Sequence, residues 1–194
     1  MNIGIDLDEV IVEFIRGFLD FYNKKFGADY KYEQWHSYNF WEVFGGTREE
    51  AIREVDEFFN SEKFEKLKLV KGAKLINNLA KDNKLFIITT RKFEHKDKTE
   101  KFLQKHFKGI PLELVFSGDF HNQGKTKADF CNELGVSLLV EDNKEYALEC
   151  AKKGIKVFLL DKPWNKNYKN HQNLVKVQNW NEILEKINGL RGEN

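Results

Sequence analysis

The sequence is poor in the features that mark several specialised classes of protein. It has two cysteines and two prolines, and the cysteines form neither a Cys-x-x-Cys pair nor a Cys/His cluster, which argues against a zinc site or a disulfide framework. No apolar stretch approaches the roughly 18 residues of a transmembrane helix, so a membrane span or membrane partner is not expected. Lys and Arg (32) nearly balance Asp and Glu (31), and without runs of like charge a nucleic-acid polymer is not an expected partner.

The remaining composition indicates a folded protein of ordinary size. The chain has 194 residues, 14% of them aromatic, with 17 Phe. This length fits one domain, or one domain with an inserted subdomain, and the aromatic content argues against disorder. Met1 leads directly into a short apolar run followed by acidic residues, so a signal peptide is not expected. We expect a reducing, cytoplasmic location and a monomer or homodimer.

The first ten residues place two aspartates at the end of a predicted strand. Ile3 to Ile5 form a short apolar run, Asp6 and Asp8 follow, and an amphipathic stretch runs from Val10 to Phe26. This pattern predicts a buried strand, a loop and a helix. Ligands bind at the carboxyl ends of strands in an open α/β sheet. Two carboxylates there repel each other and lose hydration, which a bound cation would offset; a pair that only caps the next helix is the alternative.

After residue 83 the chain alternates between strand and helix patterns. The predicted strands lie at 84–89, 112–116, 137–140, 155–160 and near 174–177. The predicted helices lie at 94–107, 127–134, 145–153 and from about 181 to 187. Such alternation predicts an α/β fold with a doubly wound, Rossmann-like, mostly parallel sheet.

The segment between the first predicted helix and residue 72 breaks this alternation. It has no good strand pattern and holds an aromatic cluster, which comprises Tyr30, Tyr32, Trp35, Tyr38, Phe40, Trp41 and Phe44. Gly45-Gly46-Thr47 then precedes a predicted helix over 48–59. We expect residues 1–20 and 72–194 to form the core. Residues 21–71 would form a small helical cap, inserted after the first strand and helix, over the strand ends.

Polar side chains recur where the predicted strands end. They are Asp6 and Asp8, Thr89 and Thr90, a lysine at 125 or 127, and Glu141 and Asp142. Each signal is weak alone, because Thr favours strands, a Lys at a helix start is usually solvated, and Glu-Asp often begins a helix. Together they offer carboxylate oxygens suited to Mg²⁺ beside a hydroxyl and an ammonium suited to phosphate.

In these motifs the chain resembles the haloacid dehalogenase (HAD) superfamily of aspartate-nucleophile phosphohydrolases. The matching segments are Asp-Leu-Asp-Glu-Val at 6–10, Ile-Ile-Thr-Thr at 87–90, a lysine near 125–127 and Val-Glu-Asp-Asn at 140–143. The resemblance covers residues 1–20 and about 72–161. Within the superfamily the chain is most similar to the 5′(3′)-deoxyribonucleotidase-related group, which has a Thr-bearing second motif and a small helical cap after the first motif.

The resemblance implies a role for each of the first two motifs. Asp6 would be the nucleophile that forms an aspartyl-phosphate, and Asp8 would protonate the leaving oxygen and later deprotonate the hydrolytic water. An acid two residues after the nucleophile is typical of the superfamily's phosphatases and mutases. Thr89 would hydrogen-bond the phosphoryl oxygens, and Thr90 would be a second contact.

The other two motifs would supply the cations. Lys127 would neutralise the phosphate and the nucleophile, and Lys125 is the alternative for that lysine. A carboxylate attacks an anionic phosphate poorly unless such charges are neutralised. The groups that would hold Mg²⁺ are Asp6, the backbone carbonyl of Asp8, Asp142, and Glu141 either directly or from the next shell out.

The cap aromatics are candidates for a substrate contact. Aromatic side chains stack on nucleobases with a free energy of about 1–3 kcal/mol per base, and Phe40 and Trp41 lie between polar residues just before the Gly-Gly pair. Packing within the cap's own core is the alternative for each. Arg91, next to Thr90, could reach phosphate or sugar, and a plain surface arginine is the alternative.

These expectations favour a Mg²⁺-dependent phosphomonoesterase that acts on a small-molecule phosphate ester, a (deoxy)nucleoside monophosphate. A phosphatase for another small phosphometabolite, such as a sugar phosphate, is the second hypothesis. A catalytically silent protein that binds a phospholigand is the third. The presence of both aspartates, the threonines, a lysine and the Glu-Asp pair argues against that third hypothesis, because the loss of any one would disable the chemistry.

Overall fold

The computed structural model describes residues 1–118 and 124–192. Within these residues six strands form one parallel sheet in the spatial order β3-β2-β1-β4-β5-β6. The strands are β1 (Asn2–Ile5), β2 (Lys84–Thr89), β3 (Leu112–Phe116), β4 (Leu138–Glu141), β5 (Lys156–Leu160) and β6 (Leu174–Val177). The predicted α/β fold with a doubly wound parallel sheet is therefore confirmed.

Helices cover the sheet and fill the long segment between β1 and β2. They are α1 (Phe14–Phe26), α2 (Phe40–Phe44), α3 (Arg48–Phe59), α4 (Glu62–Glu65), α5 (Ile76–Leu79), α6 (Lys96–His106), α7 (Lys127–Glu133), α8 (Lys144–Lys152) and α9 (Trp180–Gly192). Short 3-10 helices lie at Tyr32–Gln34, Ala73–Leu75, Phe93–His95 and Pro163–Asn165. In the described ranges no helix has the length and apolar character needed to cross a bilayer.

Strand β1 lies at the centre of the sheet and determines where polar groups converge. Ile5 pairs with Ile87 of β2 on one side and with Val140 of β4 on the other. All three of these side chains are fully buried, as expected for a parallel sheet covered on both faces. The chain order changes direction at β1, so the carboxyl ends of β1, β2 and β4 lie together at a point where ligands bind in such sheets.

The first helix begins one turn later than predicted. The amphipathic pattern placed its start at Val10, but α1 starts at Phe14, because a tight loop follows β1. The backbone N–H groups of Ile11 and Val12 both donate to the carbonyl of Leu7, at 2.9 and 3.0 Å. The last helix is longer than predicted and continues to Gly192.

The segment between α1 and β2 is helical and packs on the same apolar core as the sheet. Helix α3 has the predicted bounds, and the Thr47 hydroxyl accepts from Glu50 N while Glu50 accepts from Thr47 N, as in a capping box. The Phe18 ring of α1 lies 5.5 Å from the ring of Phe58 in α3. The predicted boundary between residues 20 and 21 falls inside α1, and the division into core and cap stays a prediction.

Candidate active site

The loop after β1 separates its two aspartates into different surroundings. The backbone N–H of Asp6 donates to the carbonyl of Val140 at 2.9 Å, which continues the sheet by one residue and keeps Asp6 buried. Among the described non-glycine residues, Glu9 is the one with a positive φ, 63°, and its Oε1 accepts from Ile15 N at 2.6 Å at the start of α1. The turn leaves the Asp8 side chain 29% exposed, so one carboxylate is buried and the other faces the cavity.

A buried lysine connects β1 to β4. Lys127 begins α7, whose first turn is capped by Thr126 and Asp129, and its side chain is 1% exposed. Its Nζ lies 2.5 Å from Oδ1 of Asp6 and 2.7 Å from Oε2 of Glu141. The structure therefore places Lys127, of the two candidate lysines, beside Asp6.

The other candidate, Lys125, lies away from this group. Its side chain is exposed and pairs with Glu133 at 2.7 Å, so the structure does not bring it to the strand ends. The sequence left the two lysines as alternatives because they are two residues apart. The reason for the outcome is helical geometry: Lys127 is the first residue of α7 and points at the sheet, whereas Lys125 precedes the cap residue Thr126.

Three carboxylates face one ammonium at the end of β1 and β4. Oxygen atoms of Asp6, Glu141 and Asp142 all lie within 4.8 Å of one another, and all three residues are buried. Burial raises the pKa of Asp6 to about 8, with Glu141 and Asp8 adding to the rise and Lys127 opposing it. Burial, Glu141 and Asp6 together raise the pKa of Asp142 well above its usual range. Burial lowers the pKa of Lys127, but the neighbouring carboxylates outweigh it and raise that pKa.

This excess of negative charge fits a bound cation. Buried carboxylates without enough positive partners are costly, and an all-oxygen donor set of this kind suits Mg²⁺, a hard cation. The Oε1 of Glu141 also accepts from the backbone N–H groups of Asp142 and Asn143, at 3.1 and 3.0 Å. Both Glu141 oxygens thus have partners, whereas Asp6 is bonded to Lys127 through Oδ1 and Asp142 to Trp164 through Oδ2.

The loop after β5 holds Asp142 in place. Trp164 Nε1 donates to Oδ2 of Asp142 at 2.8 Å, and Asn165 Nδ2 donates to the Asp142 carbonyl at 2.7 Å. The same Asn165 amide nitrogen also donates to the carbonyl of Leu160. Trp164 and Asn165 were missed by the sequence analysis. The strand-end pattern could have found them, because they follow β5, which lies next to β4 in the sheet.

The two threonines at the end of β2 have different neighbours. Thr89 is buried, and its hydroxyl accepts from Arg91 N at 3.2 Å. Thr90 lies on the wall of the cavity and is hydrogen-bonded to the hydroxyl of Tyr38, whose pKa burial raises well above its usual range. The guanidinium of Arg91 is directed to Asp8, with its Nε 2.8 Å from Oδ2. Tyr38 is a third residue, after Trp164 and Asn165, for which the sequence did not indicate a role in the site.

A cavity of about 160 Å³ runs from these strand ends to the helices between α1 and β2. Asp6, Asp8 and Asp142 lie at one end of it. Its other walls are mainly apolar and aromatic, and they include Trp35, Tyr38, Phe40, Trp41, Val55 and Phe59. The cavity thus joins an acidic end to an aromatic chamber, an arrangement suited to an ester with a charged head and a flat, apolar body.

The two aromatic residues chosen from the sequence differ in their packing. The Phe40 ring lies 5.0 Å from Phe18 and 4.7 Å from Trp35, so it belongs to the aromatic core as well as to the cavity wall. Trp41 is half-buried and lines the same cavity. Core packing therefore explains much of the position of the Phe40 side chain, whereas Trp41 is better placed to contact a ligand.

A set of contacts joins the β2–α6 region to α3 beside the cavity. Lys92 Nζ lies 2.8 and 2.7 Å from the two carboxylate oxygens of Asp56. The His95 ring stacks on Phe59 with centroids 3.8 Å apart and planes inclined by 7°. Lys98 Nζ donates to the Phe59 carbonyl at 2.7 Å. Asp56 with Glu94 and His95 has the spacing of a metal site, but the Lys92 ammonium already neutralises Asp56 there.

Comparison with known proteins points to one family. Residues 1–192 match the model of the family described as 5′ nucleotidase, deoxy (Pyrimidine), cytosolic type C protein. A nucleotidase from Clostridium acetobutylicum is 32% identical over 136 residues, which cover 68% of this chain and 67% of that protein.

Solved structures share the fold at low sequence identity. A haloacid dehalogenase-like hydrolase from Streptococcus pneumoniae superposes with a TM-score of 0.68 at 15% identity, over 96% of this chain and 97% of that one. A protein described as a predicted phosphatase from Clostridium acetobutylicum also gives 0.68, at 16% identity, over 97% and 98% of the two chains. At such identity the superpositions establish the HAD-like fold.

Proposed function

Because the chain belongs to the family of 5′ nucleotidase, deoxy (pyrimidine), cytosolic type C proteins, we propose that it releases phosphate from nucleoside monophosphates through an aspartyl-phosphate. It is a HAD-superfamily hydrolase of phosphoric monoesters. The observation that carries the finer proposal is the contact of Lys127 with Asp6 at the buried, acidic end of the aromatic cavity. This geometry supports Asp6 as the nucleophile, with the Lys127 ammonium and the proposed substrate chamber beside it.

In the first half-reaction an Asp6 carboxylate oxygen attacks phosphorus. The bond between phosphorus and the ester oxygen breaks, and that oxygen takes the proton of Asp8 and leaves as the nucleoside hydroxyl. Lys127 keeps its ammonium beside the nucleophile, where it offsets the negative charge of the phosphate. Thr90 lines the cavity and is placed to donate its hydroxyl to a phosphoryl oxygen, while Thr89 holds the turn that carries it.

In the second half-reaction water attacks the phosphorus of the aspartyl-phosphate. Asp8, now ionised, takes a proton from that water, the bond between phosphorus and the Asp6 oxygen breaks, and inorganic phosphate leaves. Asp6 and Asp8 thereby return to their starting states, carboxylate and carboxylic acid. The partly exposed position of Asp8, compared with buried Asp6, supports this division of roles because water and the leaving group reach Asp8 from the cavity.

We propose Mg²⁺ as the cofactor, held by Asp6, Asp142 and the backbone carbonyl of Asp8, with Glu141 next to them. When bound, it supplies positive charge that offsets the phosphate and the carboxylates. The raised pKa of Asp6 and of Asp142 supports this choice, since a cation favours the ionised nucleophile that the reaction needs.

The proposal extends to the substrate and to residues 21–71. We propose that this segment acts as a cap over the strand ends and that Trp41 contacts the base, with Phe40 supporting the chamber behind it. Two buried free cysteines, Cys131 and Cys150, support a reducing, cytoplasmic setting. The proposed state in solution is a monomer or homodimer.

The test is phosphate release from a panel of nucleoside monophosphates, sugar phosphates and 4-nitrophenyl phosphate, with Mg²⁺ and with a chelator. We expect chelator-sensitive release that is fastest with nucleotides. Faster release from a sugar phosphate would agree with the proposed hydrolase mechanism but contradict the proposal that the aromatic chamber binds a nucleobase. Release that persists with chelator would overturn the Mg²⁺ assignment, and absence of release from every compound would favour a phospholigand-binding protein.

A further inference from the structure

We infer that Arg91 is a positioning residue that holds the carboxyl group of Asp8 in the orientation for proton transfer; this inference rests on the proposed function. Arg91 Nε lies 2.8 Å from Oδ2 of Asp8, and Arg91 Nη2 lies 2.5 Å from Oδ1. Two parallel N–H···O bonds of this kind determine both the position and the plane of a carboxylate. From the sequence, Arg91 is a candidate for a contact to phosphate or sugar, with a plain surface arginine as the alternative.

The guanidinium is itself held by contacts on every side. Its Nη1 donates to the Thr99 hydroxyl at 3.0 Å, and that hydroxyl donates to the carbonyl of His95 at 2.9 Å. The Arg91 side chain is 2% exposed. Its carbon Cζ lies 5.3 and 5.2 Å from the ring centroids of Phe59 and Phe64. Each guanidinium nitrogen therefore has a protein partner, and Arg91 acts through Asp8 instead of reaching for the phosphate.

Asp8 needs such a partner more than Asp6 does. Asp6 is buried and bonded to Lys127, whereas Asp8 lies in the loop after β1 with its side chain 29% exposed. A free aspartate in a loop samples several rotamers, but a general acid has to lie within hydrogen-bond reach of the leaving oxygen. Misplacement by about 1 Å can slow a reaction about 100-fold, so the Arg91 fork supplies an orientation that the loop alone does not.

The position of Arg91 also connects Asp8 to the segment proposed as a cap. Phe59 ends α3 and Phe64 lies in α4, so two of the rings around the guanidinium belong to residues 21–71. The orientation of Asp8 thus depends on the packing of α3 and α4 against the core.

The test compares two substrates whose leaving groups differ in their need for a proton from a general acid. Nitrophenolate leaves readily as an anion, whereas a nucleoside alkoxide requires a proton. With enzyme in excess, the first-turnover release of nucleoside and of 4-nitrophenol reports the step in which Asp8 is the acid. For Arg91→Met we expect nucleoside release to slow about 100-fold, nitrophenol release to slow about 5-fold or less, and KM to change little. Arg91→Lys keeps the positive charge but cannot make the two parallel hydrogen bonds to Asp8. Its nucleoside release should therefore be only slightly faster than that of Arg91→Met.

Two further variants make the result specific. Asp8→Asn should show the same dependence on the leaving group, and the double variant Arg91→Met with Asp8→Asn should be no slower than Asp8→Asn alone, as expected for residues that act as a unit. Thr99→Val removes the Nη1 partner with little change in shape and should slow nucleoside release about 3-fold, roughly the loss of one weak positioning contact. Arg53→Met makes the same change at an exposed arginine and should leave both rates unchanged.

The outcomes separate this inference from the proposed function. Equal slowing with both substrates, or multiplicative effects in the double variant, would assign Arg91 a structural role and overturn the inference. If Asp8→Asn loses turnover while Arg91→Met and Thr99→Val keep normal rates, the inference fails and the proposed function stands. If Asp8→Asn keeps normal rates with both substrates, the acid/base assignment itself fails. If Arg91→Met does not fold, the same comparison of nucleoside release with 4-nitrophenol release is made with Thr99→Val and Arg91→Lys, and equal slowing with both substrates would again overturn the inference.

Discussion

Trp164 donates its indole N–H to Oδ2 of Asp142 at 2.8 Å, and a carboxylate oxygen of Asp142 lies within 4.8 Å of oxygens of Asp6 and Glu141. The indole also lies edge-on to Tyr32 at 5.9 Å, and Tyr32 donates its hydroxyl to Oε2 of Glu9 at 2.8 Å. Lys162 Nζ completes this buried group 3.2 Å from the same Glu9 oxygen. The orientation of Asp142 is thus supported by a buried group of side chains, of which Trp164 and Glu9 also line the cavity.

The first prediction concerns the Trp164 hydrogen bond. Partners that orient a metal ligand typically contribute 10- to 100-fold to metal affinity, so Trp164→Phe should weaken Mg²⁺ binding about 10-fold. Titration calorimetry with Mg²⁺ in the absence of substrate measures this directly. Trp180→Phe is the matched control, because Trp180 is also buried but donates to the carbonyl of Val10. Equal Mg²⁺ affinity in the wild type and Trp164→Phe would contradict the role.

The second prediction concerns the nucleophile. Asp6→Asn keeps the size of the side chain and removes the attacking carboxylate, so phosphate release should fall by about 10⁴-fold or more, which exceeds the usual contribution of a single acid or base. The fold should persist, because Lys127 keeps its bond to Glu141 at 2.7 Å. Phosphate assays and circular dichroism on the same preparation check both points. Near-normal turnover in a folded variant would remove Asp6 from this role.

The candidate site residues that the sequence placed at strand ends, and that the structure brings together there, share one property: their positions follow from the order of strands. Asp6, Lys127 and Asp142 lie at or beside strand ends, and the parallel sheet brings those ends together whatever the details of the loops. Trp164 follows β5, so the strand-end pattern could have indicated it. Tyr38 reaches the site from a loop whose path depends on packing, and nothing in its neighbouring residues indicates a polar role. The late start of α1 has a similar origin, because the loop held by Glu9 interrupts an amphipathic pattern that otherwise continues back to Val10.

The third prediction separates the substrate wall from the aromatic core. Trp41→Ala should raise KM for nucleotides by about 10-fold, the equivalent of roughly 1.4 kcal/mol of lost stacking, with a smaller effect on 4-nitrophenyl phosphate. Phe40→Ala should instead lower stability by about 2–3 kcal/mol, below most of the range for a fully buried Phe, because its half-buried ring packs on Phe18 and Trp35. Steady-state kinetics and urea unfolding distinguish them. If Trp41→Ala raises KM equally for nucleotides and for 4-nitrophenyl phosphate, Trp41 packs in the aromatic core and does not contact the base.

The fourth prediction concerns the pH dependence of stability at the contact between α3 and the β2–α6 region. Burial lowers the pKa of His95 from its ordinary value of 6.5, although Glu94 and Asp56 oppose that shift. The folded state therefore binds fewer protons at this site than the unfolded state. The contribution of neutral His95 is fully present above pH 6.5 and decreases as the pH falls from there toward the lowered folded pKa.

His95→Phe tests this because it keeps a flat ring against Phe59 and removes the titration. Nε2 of His95 has no hydrogen-bond partner among the described residues, so the substitution breaks no bond at that atom. Urea unfolding between about pH 5 and 8 should show the wild type losing stability relative to His95→Phe as the pH falls below the ordinary histidine pKa. Other histidines titrate in both proteins and cancel in the difference. Parallel curves for the two proteins would mean that His95 has the same pKa in the folded and unfolded chain. The stack on Phe59 and the Lys92–Asp56 pair would then hold α3 in place whether or not His95 is protonated.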